Sequence, residues 1–580
     1  MTNTAGDKDL IEDAGDASAA PFPMQGSKEA AQAHGSSSLL REHLVPLLLV
    51  FLVALATLLP GINTLPLTDR DEALYVQASR QMLESGDWVD IRFQNEPRYK
   101  KPVGIYWLQG LAAKTIGTGA GSALWVYRLP SLFGAILTAM LTYAIAAQMG
   151  GKRAGLLAGL LAAMTVELAF EARIGKTDAM LCATIVASQL GLLSAYLDEN
   201  RRQRLWRNAL FWLALGLGTL IKGPVAPMIA GFTLLGILAT ERNLSILRAL
   251  SPVRGIIAYL CVVLPWLLAI GWISKGAFFQ QSVGHDMLGK IATAQESHGA
   301  PPGTYILTSL GTFWPLSIFF SLAVWWAWKN RHTKTVAFLF FWIVPAWLLF
   351  ELIATKLPNY ILPMMPAWAV LAGLAVNDIG LKTSNRWFRF TYLGIAAGGV
   401  ALPLALNLLF YHIEGHIHLI GLALGACAAT LSILASVWFM RNRLRAGFTA
   451  VIVAVAAIYA LGYGLLLPDA RGLWLSDRIK EAFNRQTNCE KPVKLSIGYA
   501  EPSIVFRLGT PMQRLNAEDG AKAFHDAACA IAAVTSSQMP AFTAALATMG
   551  GSADPVELVT ARNLNGLKIQ SVQIVRKRLN

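Results

Sequence analysis

Charge is what this chain has least of. Only 14% of its residues are Asp, Glu, Lys or Arg, where soluble domains carry roughly a quarter. Apolar residues make up 54% and do not belong to one large soluble core. They arrive in blocks of about 20, and at 1.5 Å per residue such a block crosses a ~30 Å hydrocarbon layer. Cysteine is scarce, with five in the chain. Cys182, Cys261 and Cys427 fall inside apolar blocks and read as small buried residues. Cys489 and Cys529 lie in a polar region, and no pair stands at metal-ligand spacing. A secretory signal is not expected, because the first apolar block begins near Leu44, after a polar, acidic, Gly/Ala/Ser-rich stretch. Residues 1–40 are therefore expected to be a disordered cytoplasmic tail. No internal repeat of solenoid length is found. The net charge of +14 sits in short loops between apolar blocks. No basic groove is interleaved with aromatics, so nucleic acid is excluded as a partner.

What is present is a series of thirteen apolar segments: 44–61, 124–148, 154–170, 178–197, 208–221, 224–239, 255–273, 304–328, 335–354, 361–377, 389–411, 417–439 and 446–467. The fold class expected is an α-helical polytopic membrane protein of about 13 spans. The fifth and sixth segments are short, meet at Lys222-Gly223-Pro224, and read as a re-entrant or tilted pair. Alternate loops carry the Lys and Arg, as in Arg201, Arg202 and Arg204, or Arg441, Arg443 and Arg445. The positive-inside rule makes those loops cytoplasmic. The N-terminus is then cytoplasmic, and an odd number of spans places the C-terminus outside.

The organisation expected is a membrane domain over 41–467, with external loops 62–123 and 274–303, followed by a small external α/β domain over 468–580. Long loops tend to carry function. The first should hold two amphipathic helices on the membrane surface, over 71–84 and from Pro102 onward. In the tail domain, strands are expected near 493–499, 529–535, 556–562 and 567–576, and helices near 476–485, 518–528 and 538–548. In an oxidising compartment Cys489 and Cys529 should pair.

The first loop is the richest stretch. It reads Thr68-Asp69-Arg70-Asp71-Glu72-Ala73-Leu74-Tyr75, then Gly86-Asp87-Trp88, then Arg98-Tyr99-Lys100-Lys101-Pro102, then Tyr106-Trp107. Carboxylates just past the first span are followed by a basic cluster, which supplies a candidate base and candidate phosphate ligands at the water–lipid boundary. Solubility alone would also account for such charges in a loop.

This order of motifs resembles the first periplasmic loop of the bacterial aminoarabinose transferases, and of the wider protein O-mannosyltransferase-like clan of membrane glycosyltransferases. Arg128-Leu129-Pro130-Ser131, Asp178, Lys222-Gly223-Pro224 and the run Lys356-Leu357-Pro358-Asn359-Tyr360-Ile361-Leu362-Pro363 fit the same pattern. The resemblance covers roughly residues 40–470. It implies a GT-C fold in the bacterial inner membrane and sugar transfer from a polyprenyl (undecaprenyl) phosphate donor. The acceptor would be a lipid or glycan at the periplasmic face, lipid A or lipopolysaccharide core first and protein second. No cofactor is required, and a divalent metal stays open.

Residue by residue, the resemblance assigns Asp71 as catalytic carboxylate and Asp178 as the second acid. It assigns Lys101 and Tyr360 to the donor phosphate, with Lys356 beside them. Glu72, Lys100, Lys222, His285 and His298 are further candidates. Asp178 could equally serve a helix N-terminus, Tyr360 an interfacial belt, and Lys356 could snorkel. The chain departs from the aminoarabinose transferases at Leu74, where they usually carry Arg, and at Lys100, where they usually carry Glu. The competing class is a transporter or flippase. That class would favour charges at the bilayer midplane and repeated halves, and the sequence has neither.

Overall fold

A computed structural model of the chain describes residues 26–68, 70–197, 204–282, 284, 300–379, 386–487, 489–563 and 566–578. It divides into an amino-terminal segment, Met1–Pro46, and a unit Leu47–Asn580 that holds the features that follow. Of the tail expected over 1–40, residues 1–25 lie outside the described residues, and the rest begins the helix Gly26–Leu58.

All thirteen apolar segments fall on helices. Among the described residues, eight helices are long and apolar enough to cross a membrane, or nine if the bent pair Thr304–Thr312 and Leu316–Lys329 forms one span. The difference from thirteen has local causes. Leu124–Met164 counts as one helix, yet Gly151 inside it has φ 81° and ψ 174°. The chain reverses there, and Gly155 lies against Tyr143 and Ala147 with no room for a Cβ. The helices Arg204–Lys222 and Val225–Glu241, joined at Gly223, have 19 and 17 residues. Val225–Glu241 is ~26 Å long at 1.5 Å per residue, just under the layer thickness, while Arg204–Lys222 is long enough but less apolar, with Arg207, Asn208 and Lys222 in its end turns. The apolar part of the first helix, Glu42–Leu58, is short in the same way.

Span polarity is handled internally, as a lipid environment requires. The hydroxyls of Thr138, Thr142 and Ser432 bond the carbonyl four residues back. Exposed apolar side chains such as Ile257, Leu268 and Trp272 crowd the helix Pro252–Ile273, which suits a lipid-facing span.

The first loop folds as two helices, Asp71–Ser85 and Gly104–Thr115. Gly86 closes the first in the left-handed conformation, its N–H bonding Met82 O. The helices do not simply lie on a surface. Ala78, Met82, Ile105 and Tyr106 are buried in the main core, and a Cβ on Gly104 would meet the Leu220 backbone at 2.8 Å.

Beyond the last span, five strands form a mixed sheet in the order β4-β3-β5-β7-β6. They are β3 Val493–Ile497, β4 Gln513–Leu515, β5 Ala530–Thr535, β6 Ala553–Arg562 and β7 Ile569–Lys577; β1 Arg92–Phe93 and β2 Glu96–Pro97 form a small ribbon in the first loop. β3 is parallel to β4 and β5, while β7 is antiparallel to β5 and β6. Both faces are covered. Ile531 and Ala533 join a cluster with Ile479, Phe483 and Ile504. Ala532 and Val534 join another with Phe524 and Phe542. Such two-sided burial explains why β5 reads as continuous apolar sequence. The short strand β4 and the helix Pro502–Leu508 went unanticipated, since neither is long enough to show a period.

Cys489 and Cys529 form a disulfide, with Cα atoms 6.7 Å apart. It ties the approaches to adjacent strands, where Val493 N–H also bonds Cys529 O. Closing 40 residues should stabilise this unit by roughly 3–4 kcal/mol on the chain-entropy model. Reductant is therefore expected to lower the melting temperature of the sheet-bearing unit. Alkylation of both thiols without prior reduction, read by mass spectrometry, would exclude the bridge.

Candidate active site

The geometry starts from Glu72. Its carboxylate is fully buried and receives five hydrogen bonds. Thr68 donates N–H and O–H at 2.9 Å each, Gly175 donates N–H at 2.8 Å, and Arg128 donates from Nε and Nη2 at 2.7 and 2.9 Å. Arg128 spends its other donors on the carbonyls of Ile62, Leu65 and Pro66, so all five of its N–H groups are used. Burial opposes the Glu72 charge, but Arg128 and the Gly175 and Thr68 N–H groups together outweigh it and hold the carboxyl below its usual range. Glu72 is thus a fastener of the loop. This corrects the expectation that it serves the chemistry directly: it does not line the cavity described next.

The clasp fixes what flanks it. One residue before Glu72, Asp71 opens the loop helix and is exposed. Arg70 before it has φ 64° and ψ −94°, a strained conformation for a side-chain-bearing residue. On the other arm, Gly175 lies so close to Val76 that a Cβ would meet it at 2.9 Å. Gln109 bonds Gly175 O at 2.9 Å, and Ser131 bonds Lys176 O at 3.1 Å. Lys176, Thr177 and Asp178 follow.

These pieces converge on a cavity of about 180 Å³. Asp71, Asp178, Lys100, Lys101, Lys222 and Tyr360 all line it, as do Arg70, Arg98, Lys176 and Asn359, which the sequence reading had not assigned. Six cations therefore face two carboxylates. Asp178 is committed: Lys222 Nζ lies 2.5 Å and Lys176 Nζ 3.8 Å from its oxygens, and the Asn359 side chain bonds it as well. Lys222 also sits 5.6 Å over the Tyr360 ring. Lys176 pairs with buried Glu171 at 2.9 Å. Burial works against the Lys176 ammonium, yet Glu171 and Asp178 raise it well above its usual range. Arg98 is buried, bonds Tyr106 Oη at 3.2 Å and stacks 5.0 Å over Tyr75. Among the described residues Asp71 has no hydrogen-bond or ion-pair partner.

Lys356 is a second correction. Its ammonium turns inward and donates to Glu351 O and Ile353 O at 2.9 and 2.7 Å. It closes the end of the helix Lys334–Leu352 and does not line the cavity. His285 and His298 lie outside the described residues. Among the described residues no three His, Cys, Asp or Glu side chains converge as a metal site needs.

Leu74, at the first departure from the aminoarabinose transferases, lines the cavity and packs against the sheet's core cluster. Arg80 donates to Phe506 O at 2.7 Å and stacks 3.7 Å over the Phe506 ring. Gln94 donates to Met512 O at 2.6 Å. Pro502 reaches the cavity wall. The helix bearing Asp71 is thus held by the spans on one side and by the sheet on the other.

Fold and site define a multi-span membrane protein of the GT-C type, with its polar cavity at one end of the spans. Its likeness is to the aminoarabinose transferases. The fold matches ArnT from Cupriavidus metallidurans bound to undecaprenyl phosphate over 92% of this chain and 98% of that one, with a TM-score of 0.72 and 20% identity. It matches the apo form of that protein over 94% and 99%, also at 0.72, with 19% identity. In sequence, the undecaprenyl phosphate-alpha-4-amino-4-deoxy-L-arabinose arabinosyl transferase of Yersinia pestis is 27% identical over 63% of this chain and 65% of its own. The corresponding transferase 2 of Pseudomonas fluorescens is 28% identical over 67% and 66%. The chain thus spans just under two thirds of the length of these relatives. Residues 100–268 match the family described as dolichyl-phosphate-mannose-protein mannosyltransferase. The resemblance read from the loop motifs is borne out.

Proposed function

We propose that this protein is a membrane glycosyltransferase that moves a sugar from a polyprenyl phosphate, of the undecaprenyl kind, to an acceptor at the periplasmic face of the bacterial inner membrane. The acceptor class favoured is lipid A or lipopolysaccharide core. The observation that carries the reading is the cavity lined by six cations and two carboxylates at the ends of the spans. The N-terminus is cytoplasmic in this reading, and the sheet is periplasmic, where the disulfide belongs. The mannosyltransferase family match favours protein as the second acceptor class.

The roles follow from the charge of each group and its place in the cavity wall. The leaving group is a polyprenyl phosphate, whose negative charge grows as the glycosidic C–O bond breaks. Lys101, Lys100, Arg98 and Lys176 surround it with positive charge, and Tyr360 offers a hydroxyl. Asp178 is engaged by two lysines, so it orients them. Asp71 is the carboxylate with acceptor capacity to spare. It takes the acceptor hydroxyl's proton as that oxygen attacks the anomeric carbon. A single displacement inverts the anomeric centre.

The test is transfer by purified protein in lipid nanodiscs, with synthetic undecaprenyl-phosphate sugars and lipid A, and with the products read by mass spectrometry. Absence of any lipid or peptide product across a panel of such donors would sink the reading. Lys100→Ala/Lys101→Ala is expected to raise the donor KM and lower turnover together. The combined loss in kcat/KM should be roughly 10–100-fold, since charge-assisted bonds contribute about 1.5–3 kcal/mol. Unchanged kinetics would remove both lysines from the phosphate site.

A further inference from the structure

A second cavity, of about 480 Å³, opens where the sheet meets the last spans. Its walls come from the end of the helix Arg386–Glu414, the turn Arg471–Leu473, the helix Leu475–Gln486, strand β6 and the start of β7. No residue lining it also lines the cavity that holds Asp71.

Four guanidinium groups face it: Arg471, Arg478, Arg485 and Arg562. Its three carboxylates are largely spoken for. Glu557 takes Arg485 at 2.6 Å, Glu481 takes the same Arg485 at 3.8 Å, and Glu414 accepts Gly472 N–H at 2.7 Å. Arg478 donates to Thr560 O, and Arg562 to Leu567 O at 3.3 Å. Among the described residues, Arg471, Arg478 and Arg562 have no carboxylate partner. Four arginines against three glutamates leave the lining net positive by one charge, and an anion placed among Arg471, Arg478 and Arg562 meets guanidinium groups that no described carboxylate holds.

Position narrows the anion. Arg471 stands two residues past the span Leu444–Asp469, and Ile413 and Glu414 end the span Thr391–Glu414. The cavity therefore sits at the edge of the hydrocarbon layer. Its wall is apolar at Ile413, Val559 and Ile569, and Ile569 is 66% exposed. Arg is suited to phosphate, which it meets through paired N–H groups. We infer that this cavity binds the phosphate of an anionic phospholipid from the leaflet on the active-site side, and so seats the sheet-bearing unit on the membrane. The group recognised is a phosphate ester, and a lipid presents it at the right depth with a chain for the apolar wall.

Native mass spectrometry of the full-length protein tests this after incubation with phosphatidylglycerol, with phosphatidylcholine, or with inorganic phosphate. Wild type is expected to retain phosphatidylglycerol in preference to phosphatidylcholine. Arg471→Gln/Arg562→Gln should retain roughly tenfold less or lower still. Lys491→Gln/Lys522→Gln removes the same charge from exposed positions elsewhere and should retain the wild-type amount. Full displacement of the lipid by millimolar inorganic phosphate would overturn the lipid assignment, since the apolar wall would then add nothing to binding. Equal retention by both double variants, or no preference between the lipids, overturns the proposal. Arg471 is exposed, so Arg471→Gln alone supplies the comparison if the double variant fails to fold.

Discussion

Asp71→Asn is expected to abolish sugar transfer while leaving the protein folded. The carboxylate is exposed at the first turn of its helix, and no described residue depends on it as a hydrogen-bond acceptor. Its loss therefore removes little from the native state beyond a favourable charge at a helix N-terminus, about 0.3–1 kcal/mol. The catalytic effect should be far larger. Asn keeps the shape but cannot take a proton from an attacking hydroxyl, and a positioned general base contributes about 10²–10⁴-fold. The loss should appear in kcat, with the donor KM little changed, because the cationic side of the cavity is intact. Asp178→Asn should behave differently. It frees Lys222 and Lys176 from their shared partner, so donor affinity should move as well as rate. A purified Asp71→Asn protein that turns over within a few-fold of wild type would take the base role away from this residue.

The sequence disclosed the parts of this site that are set by local order and hid those set by distant packing. Asp71, Lys101 and Tyr360 stand in short ordered motifs, and the cavity gathers them. Arg98 was in plain view beside Lys100, but nothing local says that it points inward under Tyr106. Lys176 lies in a loop otherwise poor in basic residues. Its place in the cavity depends on Gly175 being drawn to Glu72 across the fold. Lys356 is the converse case: its motif suggests a ligand, while the carbonyls at the end of the preceding helix, Lys334–Leu352, take its ammonium. The apolar segments were legible because lipid demands runs of about 20 apolar residues whatever the tertiary context. Their count was less so, because Gly151 and Gly223 mark turns between helices too short or too continuous to be separated by length alone. The sheet's order is a long-range property, and only its longer strands left a period to read.

Arg128 carries the second large expectation. Arg128→Met leaves Glu72 buried, charged and without its counter-ion, and strips three backbone carbonyls of their donors. Breaking a buried pair by removing one partner costs about 3–5 kcal/mol, a large share of the roughly 5–15 kcal/mol that keeps a protein folded. A sharp fall in melting temperature and in yield from membranes is expected. Arg128→Lys should rescue little, since a lysine offers three donors on one nitrogen where five are used in a planar fork. Glu72→Gln should be milder, because an amide oxygen can still accept from Gly175 or Thr68. Joining Glu72→Gln to Arg128→Met removes both charges together, so the double variant should be more stable than the two single losses predict, with a coupling of roughly 0.5–3 kcal/mol. Transfer should fall in every one of these variants, including any that remain folded, because the same carboxylate that holds Arg128 also draws in the arm carrying Lys176 and Asp178. Melting curves in detergent read the stability part, and kcat/KM of the folded fraction reads the positioning part. If Arg128→Met melts with the wild type and transfers sugar at its rate, the clasp neither holds the loop nor sets the site.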